Sequence, residues 1–565
     1  MKNKLRTSIQ SLAIILCTIV LVSCSSKLTP LSSSLFTTSP SPMEVEGTKI
    51  PVTVNGRFPE KWFNKNAQVT ITPVLKADGK ELWGNSVTYQ GENVSGNGVT
   101  ISQQRGGNFT IKSEFDYDPS LINPELNLRF AAKIKNKDVE LPDVNVASGL
   151  LTTATLADAY STTPAEAPDD FQKLIKDTYD ANILFLIQQA ELRSSELNST
   201  NLAAWKNLVK SADNNPKQNV NVEVLAYASP DGGYQLNQKL AEKREKNTST
   251  YLTKEFDKEN VDANIYANYT AQDWEGFKKL VEASSLQDKD LVLRVLSMYS
   301  DPIDREREIK NISYVYKDLA ETILPQLRRS RLVANVETIG KTDAELKQAI
   351  SSNPNSLTIN ELLYTATLDG TPVEQIYTLT TQKFPNDYRG WNNLGAYYFE
   401  NGRYTDAKQA FEKAQQVSSN AAEPNMNLGL LALADGNISR AEQLIGQASN
   451  ANTVNEALGL LYLKQGDYNK AVQAFGDTKS NNSALAQILT KNYSQAQQIL
   501  DGVVNKNAMT YYLQALVGAR TNNSSTTASA LNQAFRLDPS LKNYAKSDLE
   551  FARFAGNSAI SSILR

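Results

Sequence analysis

The sequence predicts a multidomain chain with three folded regions: an N-terminal β-sandwich, a central α/β domain and a C-terminal all-α solenoid of helical repeats. Three observations predict this order. Apolar and polar residues alternate in the first region, and an apolar strand leads through a glycine-containing turn into an amphipathic helix in the second. In the third, aromatic residues, glycines and alanines recur at fixed offsets with a period of about 34 residues.

The N-terminus predicts export. Lys2, Lys4 and Arg6 give a positively charged start, and an apolar run over 12–22 follows them. The run is too short to cross a hydrocarbon core of about 30 Å comfortably as a permanent helix. It fits the apolar centre of a secretory signal peptide.

Residues 21–24, with the sequence LVSC, resemble the lipobox at which the lipoprotein signal peptidase cleaves. The resemblance implies that Cys24 receives diacylglycerol on its sulfur and a third acyl chain on its amine, which holds the chain at a membrane. An ordinary signal peptide that contains a cysteine is the alternative. Residues 24–42 are rich in Ser, Thr and Pro and predict a flexible tether. Ser and Lys at 25–27, where some surface-exposed lipoproteins carry an acidic run, favour the periplasmic face of the outer membrane.

Composition restricts the chemistry. The chain has 58 basic against 61 acidic residues, so it offers no concentrated basic surface for nucleic acid. It has no histidine, and its two cysteines are Cys17 and Cys24, which excludes His-based triads, His-ligated zinc and internal thiol chemistry. We therefore expect a non-catalytic protein without a metal or cofactor. Glycan hydrolysis by paired carboxylates is the alternative, although no spacing favours it.

Residues 43–150 predict short antiparallel strands. Ile50, Val52 and Val54 alternate with polar neighbours, and glycine-rich turns follow at 96–98 and 106–107. A β-sandwich is the expected packing for such strands. An aromatic cluster in this region fits either the core or a docking surface: Phe58, Trp62 and Phe63.

The central region, 151–340, contains an apolar strand at 222–225, a turn with the sequence SPDGG, and an amphipathic helix with the pattern N-x-x-L-x-x-x-R over 237–244. This order resembles the OmpA-like, peptidoglycan-associated domain, and a helical insertion lies near its end. The resemblance implies a pocket for the diaminopimelate of the wall peptide. Arg244 matches the family's arginine, but an uncharged serine stands where the family has an aspartate. The predicted peptidoglycan or docking pocket consists of Ser229, Asp231, Asn237 and Arg244.

Two functions remain open for this region. Peptidoglycan binding needs both halves of the family's charge pattern, and only the arginine is retained. The other function is that of a structural or protein-docking module, since fold does not determine function.

Residues 341–565 carry the repeats. Trp391, Leu394, Gly395 and Tyr398 precede a second helix with its own small and aromatic residues, and the pattern returns around Gly429. This closely resembles the tetratricopeptide repeat, whose helix pairs must stack to bury their apolar faces. The first helices of such units line a concave groove. The predicted groove residues are Asn392, Ala396, Phe399, Met426, Leu430, Leu433, Glu456, Leu460 and Leu463.

An apolar groove of this kind predicts an extended or helical peptide partner. The alternative is that the chain's own C-terminal segment, with Ile560, Ile563 and Leu564, covers part of it. The sequence as a whole predicts a lipid-anchored periplasmic adaptor that binds outer-membrane or periplasmic proteins and helps organise an assembly or secretion machine. A peptidoglycan-binding envelope anchor is the alternative function.

Overall fold

The computed structural model describes residues 28–565, which form two compact units. The described part of unit 1 comprises 28–168 and 372–565, and unit 2 comprises 169–371. The predicted signal peptide and Cys24 lie outside the described residues. Among the helices of 28–565, none is both long and apolar enough to span a membrane.

The prediction of a β-rich N-terminal region is confirmed. Strands β1, β3 and β8 form one sheet, and a second sheet is built around β4 and β9. A short parallel pair, β2 with β12, stands apart from both. The strands are β1 Phe36–Ser39, β2 Met43–Glu44, β3 Lys49–Phe58, β4 Ala67–Ala77, β5 Lys80–Trp83, β6 Val87–Gly91, β7 Val99–Ile101, β8 Gly107–Asp116, β9 Glu125–Ile134, β10 Lys137–Val139, β11 Val144–Ser148 and β12 Leu150–Leu151.

The alternation of apolar and polar residues along the strands explains the core of this region. Inward residues of β3, such as Ile50 and Val54, pack with those of β4, such as Ile71, in one apolar cluster that includes both sheets. Phe58 and Phe63 are fully buried and Trp62 stacks on Phe58, so the aromatic cluster belongs to the core.

The predicted tether at 24–42 is wrong from residue 28 onwards. Leu28, Leu31 and Phe36 are buried in the same apolar cluster, and β1 pairs with β3. A segment rich in Ser, Thr and Pro folds here because three large apolar residues at suitable spacing pack on an existing sheet.

Unit 2 contains a four-stranded mixed sheet with the order β13-β16-β14-β15, in which β14 and β15 are parallel and β16 is antiparallel to β13 and β14. Helices α2 and α3 pack on one face of the sheet, and the apolar core lies beneath them. Five further helices between β15 and β16 bury a separate apolar cluster. The strands are β13 Leu174–Leu184, β14 Gln218–Tyr227, β15 Asn264–Thr270 and β16 Arg329–Ile339. The helices are α1 Ser194–Leu197, α2 Thr200–Asp213, α3 Tyr234–Glu259, α4 Trp274–Ala283, α5 Lys289–Met298, α6 Pro302–Asn311, α7 Ser313–Thr322, α8 Leu324–Leu327, α9 Asp343–Ser352 and α10 Ile359–Ala366.

The C-terminal part of unit 1 is an array of antiparallel helix pairs. Small residues allow each pair to approach closely: a Cβ on Gly395, Gly429 or Gly459 would lie 2.6–2.7 Å from an atom of the partner helix. The helices are α11 Val373–Lys383, α12 Tyr388–Glu400, α13 Tyr404–Val417, α14 Ala422–Ala434, α15 Ile438–Gly446, α16 Val454–Gln465, α17 Tyr468–Phe475, α18 Asn481–Leu489, α19 Tyr493–Asp501, α20 Ala508–Arg520, α21 Ser524–Leu537, α22 Leu541–Ser547 and α23 Ser558–Leu564.

Two predicted boundaries change. The central domain does not span 151–340 but 169–371, because α9 and α10 fall within unit 2 and unit 1 resumes at residue 372. Residues 152–168 belong with the repeats in unit 1, far from them in sequence. Sequence position alone assigns such a connecting segment to the wrong neighbour.

Candidate functional site: a repeat groove that holds a segment of its own chain

The concave face of the repeats holds residues 152–168, which we call the groove segment. It begins directly after β12, whose pairing with β2 fixes its start. It then runs against the order of the repeats: Thr153 contacts Glu550 near the C-terminus, whereas Ala167 contacts Asn393 in α12. Apart from one 3₁₀ turn at Thr153–Leu156, the groove segment has no regular secondary structure.

Two asparagines bind backbone groups at the C-terminal end of the groove segment. Asn427 donates from Nδ2 to the carbonyl oxygen of Ala165 (2.9 Å) and accepts the Ala165 N–H at Oδ1 (2.7 Å). Asn393 does the same to Ala167, at 2.9 and 2.8 Å. Each side-chain amide thus satisfies both polar groups of one residue, as a neighbouring β-strand would.

A third asparagine repeats this arrangement further along. Asn482 donates to the carbonyl oxygen of Asp158 (2.7 Å) and accepts its N–H (3.0 Å). Asn392, one of the predicted groove residues, donates to the carbonyl oxygen of Ala165 at 2.9 Å and accepts from Nδ2 of Asn427 at 3.1 Å. These contacts recognise main chain, so they place no demand on side-chain identity.

The groove restricts instead the size of the side chains that face it. The fully buried residues of the groove segment are small, and four of its alanines belong to the apolar cluster of the repeats, against which the partly buried Leu156 also packs. The buried positions are Thr153, Ala154, Ala157, Ala159, Thr162, Pro164, Ala165 and Ala167. The residues between them, such as Asp158, Ser161, Thr163 and Glu166, are exposed. The groove therefore accepts an extended chain with small side chains facing inward.

The apolar residues predicted to line the groove lie beneath this segment or beside it. Seven of them are at most 2% exposed: Ala396, Phe399, Met426, Leu430, Leu433, Leu460 and Leu463. The ring of Tyr160 stacks on Tyr404 with centroids 3.9 Å apart and approaches Phe399 at 6.2 Å. The occupant differs from the C-terminal segment considered above, because Ile560, Ile563 and Leu564 pack at the last repeats.

Ionisable groups accompany the apolar floor. Burial raises the pKa of Glu456, and a hydrogen bond from the N–H of Thr163 partly opposes that effect. Burial also raises the pKa of Glu400. The pKa of Glu166 is raised by desolvation and by the negative charge of Glu400. Burial thus raises the pKa values of three carboxyl groups in this region.

A buried ion pair holds the beginning of the groove segment. Arg520 and Glu550 are in contact at 2.5 Å, with side chains only 9% and 4% exposed. Thr153 donates its hydroxyl to Glu550 at 2.5 Å, and Glu44 of β2 approaches Arg520 at 3.2 Å. The Thr153 hydroxyl thus donates to a buried, charged acceptor, which makes a stronger hydrogen bond than one between neutral groups.

In unit 2, Arg244 lies where the sequence predicts it, on α3, but its guanidinium is buried and bonded to backbone. It donates to the carbonyl oxygens of Gln189 (3.0 Å), Tyr227 (2.8 Å) and Leu186 (3.3 Å) and is 1% exposed. Burial and the positive charge of Arg328 lower its pKa to about 10, so it stays charged at neutral pH. Arg244 therefore braces two loop carbonyls and the carbonyl at the end of β14, and its burial removes the guanidinium from contact with a ligand carboxylate.

The other three predicted pocket residues also meet one another. Ser229 hydrogen-bonds to Asp231, Asp231 pairs with Arg328 at 3.1 Å, and Asn237 donates to the carbonyl oxygens of Ser229 and Gly232. The cavity beside Asp231, lined by helices of the insertion, holds about 10 Å³, enough for about one water. Ser229, Asp231 and Asn237 are brought together, but as a bonded turn and not as an open pocket, and Arg244 bonds to other backbone groups.

A larger depression, of about 990 Å³, lies elsewhere on unit 2 and includes Asp180, Tyr227 and Asp273. Arg331 pairs with Asp180 at 2.8 Å, and Arg329 pairs with Asp273 at 2.9 Å. Arg331 is 38% exposed, so this face is solvated and charged.

The sequence prediction named Asn392 but missed three asparagines that bind the groove segment: Asn393, Asn427 and Asn482. A signal was available for two of them, because Asn393 and Asn427 stand two residues before Gly395 and Gly429 in successive repeats. A polar residue that recurs on an otherwise apolar helix face needs a hydrogen-bonding partner. Neither the identity of that partner nor its position in the chain can be derived from the repeat pattern.

Comparisons with known proteins agree with the helical array. Two tetratricopeptide repeat families match, one over residues 398–462 and one over 453–476. A comparison with curated proteins finds no significant match. Similar solved structures include a tetratricopeptide repeat protein from Parabacteroides merdae, with 15% identity over 37% of this chain and 91% of that chain and a TM-score of 0.28. PilF of Pseudomonas aeruginosa shares 18% identity over 39% of this chain and 100% of its own, with a TM-score of 0.26. PilW, described as a type IV pilus biogenesis factor, shares 13% over 40% and 100%, with a TM-score of 0.25. The C-terminal region of this chain carries tetratricopeptide repeats, a module that typically binds proteins.

Proposed function

We propose that this chain is a non-catalytic adaptor lipoprotein of the bacterial envelope. In this proposal, acyl chains on Cys24 hold it at the periplasmic face of the outer membrane. Its repeats then bind outer-membrane or periplasmic proteins and help organise an assembly or secretion machine.

One observation carries the proposal: the repeat groove is built to hold an extended peptide by its backbone. Asn393 and Asn427 each satisfy the N–H and the carbonyl of a single bound residue. Main-chain recognition combined with small side-chain pockets is a means of binding peptides, and it involves no reacting group. The groove segment occupies that site in the chain itself, and a partner reaches the repeats beside it or in its place.

Fractionation of cells tests the anchor. The wild-type chain is expected in the outer-membrane fraction, and Cys24→Ser in the soluble periplasmic fraction with unchanged circular dichroism and melting temperature. Cys17→Ser is the matched control, because that cysteine lies inside the predicted signal peptide. Recovery of the Cys24→Ser protein in the membrane pellet would show that something other than acyl chains holds it there.

Site-specific crosslinking in cells tests the adaptor role. A photoreactive residue at Thr163, exposed in the groove segment, is expected to capture defined envelope proteins. The control position is Ile122, which is 62% exposed on the β-rich region. The same products from both positions, or none from Thr163, would argue against the repeats as the recruiting surface.

Within this proposal, unit 2 is an OmpA-like domain that serves as a docking module. Support comes from its strand, turn and helix order and from the mixed sheet with helices on one face. Peptidoglycan binding is the second candidate function, and the charged depression around Arg331 and Asp180 is the observation that favours it. Retention on purified sacculi that falls with Arg331→Ala would support it, and no retention of the wild-type chain would exclude it.

A further inference from the structure

Strand β13 forms one edge of the mixed sheet of unit 2, and its outer side carries no further strand. It pairs with β16 without a bulge over its whole length and contains no proline. The N–H of Phe185 and the carbonyl oxygen of Lys173 both bond towards β16, to Arg328 and Gly340. Because the bonding side alternates along an antiparallel strand, the even-numbered residues from 174 to 184 direct their N–H and carbonyl groups outward.

One of these outward positions is closed by side chains. The N–H of Leu184 donates to Oε2 of Glu196 at 3.1 Å, and its carbonyl oxygen accepts from Nη2 of Arg193 at 3.1 Å. Arg193 and Glu196 pair with each other at 2.7 Å, so together they bond to Leu184 as a neighbouring strand would. Among the groups that the structure describes, none does the same for the even-numbered residues from 174 to 182. The open part of the edge therefore runs from 174 to 182.

The open edge combines unpaired backbone with exposed apolar and charged side chains. Leu174, Ile175 and Tyr179 are 40–43% exposed, and every residue over 174–180 is exposed. A long exposed edge is a template for a further strand. Lys176 restricts which strand fits, because a basic residue opposite it would repel it and an apolar one would leave its charge unmatched. The best match is a strand that places an acidic residue opposite Lys176.

Strand β13 of a second copy meets this condition. When two copies pair antiparallel, a single register uses every open position of both: residue 174 then lies opposite 182, and the two-fold axis passes through Thr178. That same register places Lys176 opposite Asp180 of the second copy, and symmetry repeats the pair on the other side of the axis. The extent of the open edge and the order of its charges thus select the same pairing.

The neighbouring side chains extend this charge match. Within one chain, Lys176 pairs with Glu337 at 2.7 Å, and Asp180 pairs with Arg331 at 2.8 Å. Joining two copies therefore produces a row of alternating charges that crosses the new boundary: Glu337 and Lys176 of one copy, then Asp180 and Arg331 of the other. Opposite charges on facing strands stabilise their pairing.

The other face of the strand fits the same register. Ile175 lies opposite Ala181 of the second copy, so apolar surface that is exposed in the single chain becomes covered. Tyr179 lies diagonally across the axis from Tyr179 of the second copy, within the reach of aromatic side chains.

We propose that unit 2 is a self-association module, in which β13 strands of two copies pair antiparallel about a two-fold axis at Thr178. The two four-stranded sheets then become one continuous sheet. The partner is a second copy of this chain, bound by its backbone over 174–182 and by two Lys176–Asp180 pairs. The association depends neither on the membrane anchor nor on the repeats.

Charge reversal tests the register in the full-length chain. Lys176→Glu places acidic residues opposite each other across the axis, and Asp180→Lys places basic residues opposite each other. Each variant alone is expected to raise the dimer dissociation constant at least about tenfold in sedimentation equilibrium. An equimolar mixture of the two should recover most of the affinity, because every contact then joins an acidic to a basic residue. Asp177→Lys, on the same strand but outside the charged row, is the control and should change the constant by less than about threefold.

Single cysteines test the position of the axis. Thr178→Cys brings the new thiol beside its own counterpart, with Cα atoms about 5.5 Å apart, which is within the range for a disulfide. Mild oxidation is expected to give a covalent dimer. Asn182→Cys is the matched control: its counterpart lies about 27 Å away along the strand, so it should crosslink only when mixed with Leu174→Cys. The chain without an added cysteine gives the baseline.

Four results would overturn the proposal. They are a wild-type chain that stays monomeric at every concentration, undiminished dimers of both charge variants, equal crosslinking of Thr178→Cys and Asn182→Cys, and a charge-variant mixture that stays monomeric although each variant keeps the wild-type melting temperature. Because the mixture recovers pairing only if both variants are folded, it separates a broken interface from a damaged fold.

Discussion

The groove of unit 1 and the Arg244 region of unit 2 use polar side chains in the same way and to different ends. In both regions, a polar side chain that stands out in the sequence pattern of the repeat or of the family is hydrogen-bonded to backbone groups. Arg244 bonds to backbone of its own unit: two loop carbonyls and the carbonyl of Tyr227 at the end of β14. Asn393 and Asn427 bond to a segment more than two hundred positions away in sequence. A brace within one domain and a contact between distant segments are therefore built from similar hydrogen bonds, and the difference lies in what else holds the bonded backbone.

Replacement of the brace should have the largest effect. Arg244→Ala leaves three carbonyl groups without their donor inside unit 2, and we expect it to destabilise that unit by about 3–5 kcal/mol. The measurement is chemical denaturation followed by circular dichroism. Arg331→Ala is the matched control: that side chain is 38% exposed and paired with an exposed Asp180, so its loss should cost about 1 kcal/mol or less. Equal effects of the two replacements would show that burial does not distinguish them.

Removal of one groove asparagine should have a smaller and local effect. Asn427→Ala leaves the N–H of Ala165 without its partner and removes one of the two hydrogen bonds to its carbonyl oxygen, to which Asn392 still donates. We expect a loss of about 2–3 kcal/mol in holding that residue. Hydrogen exchange at the Ala165 amide should accelerate by about 30- to 150-fold, while the helices of the repeats keep their protection. Asn469→Ala, on the exposed side of α17, is the control and should leave this exchange unchanged. Loss of protection throughout unit 1 would mean that the groove segment is as essential to the fold as the brace is to unit 2.

The third change tests whether the packing within each helix pair determines the shape of the groove. A Cβ at Gly429 would lie 2.6 Å from Cγ1 of Ile445, so Gly429→Ala forces α14 and α15 apart at a cost of about 1–2 kcal/mol. We expect a lower melting temperature and faster exchange at Ala165, which α14 holds through Asn427. Gly446→Ala, where nothing lies within 4 Å of the added carbon, is the control and should be neutral. A destabilised array with unchanged exchange at Ala165 would show that the groove segment keeps its own conformation.

The sequence predicts the helical array well because its packing is local and repeated. Gly395 and Gly429 occupy equivalent positions, and each meets the second helix of its own pair. The occupant of the groove could not be predicted, because the contact of Asn427 with Ala165 joins residues that no local pattern relates. The same limit applies in unit 2. The position of Arg244 follows from the spacing of α3, but the loop carbonyls of Leu186 and Gln189 that occupy it are fixed only by tertiary packing.

Protonation should give the smallest effect and sharpen the comparison most finely. The pKa of Arg244 stays well above neutral pH, whereas burial raises the pKa values of carboxyl groups in the groove. Burial raises the pKa of Glu456, so its protonated form is favoured when the groove segment is docked. Docking is therefore most favourable below the ordinary carboxyl pKa and weakens as the pH rises through the raised value. Glu400 and Glu166 act in the same direction.

We expect the exchange at 163–167, after correction for its intrinsic pH dependence, to report more frequent opening at pH 7 than at pH 4.5, by less than about tenfold. Glu456→Gln should reduce this dependence and leave the part contributed by Glu400 and Glu166. In Glu550→Gln, by contrast, the pH dependence at 163–167 should persist, because Glu550 contacts the other end of the groove segment at Thr153. If opening instead became more frequent on acidification, the carboxylates would be stabilising the docked state as anions, and burial would not be the dominant influence on their pKa values.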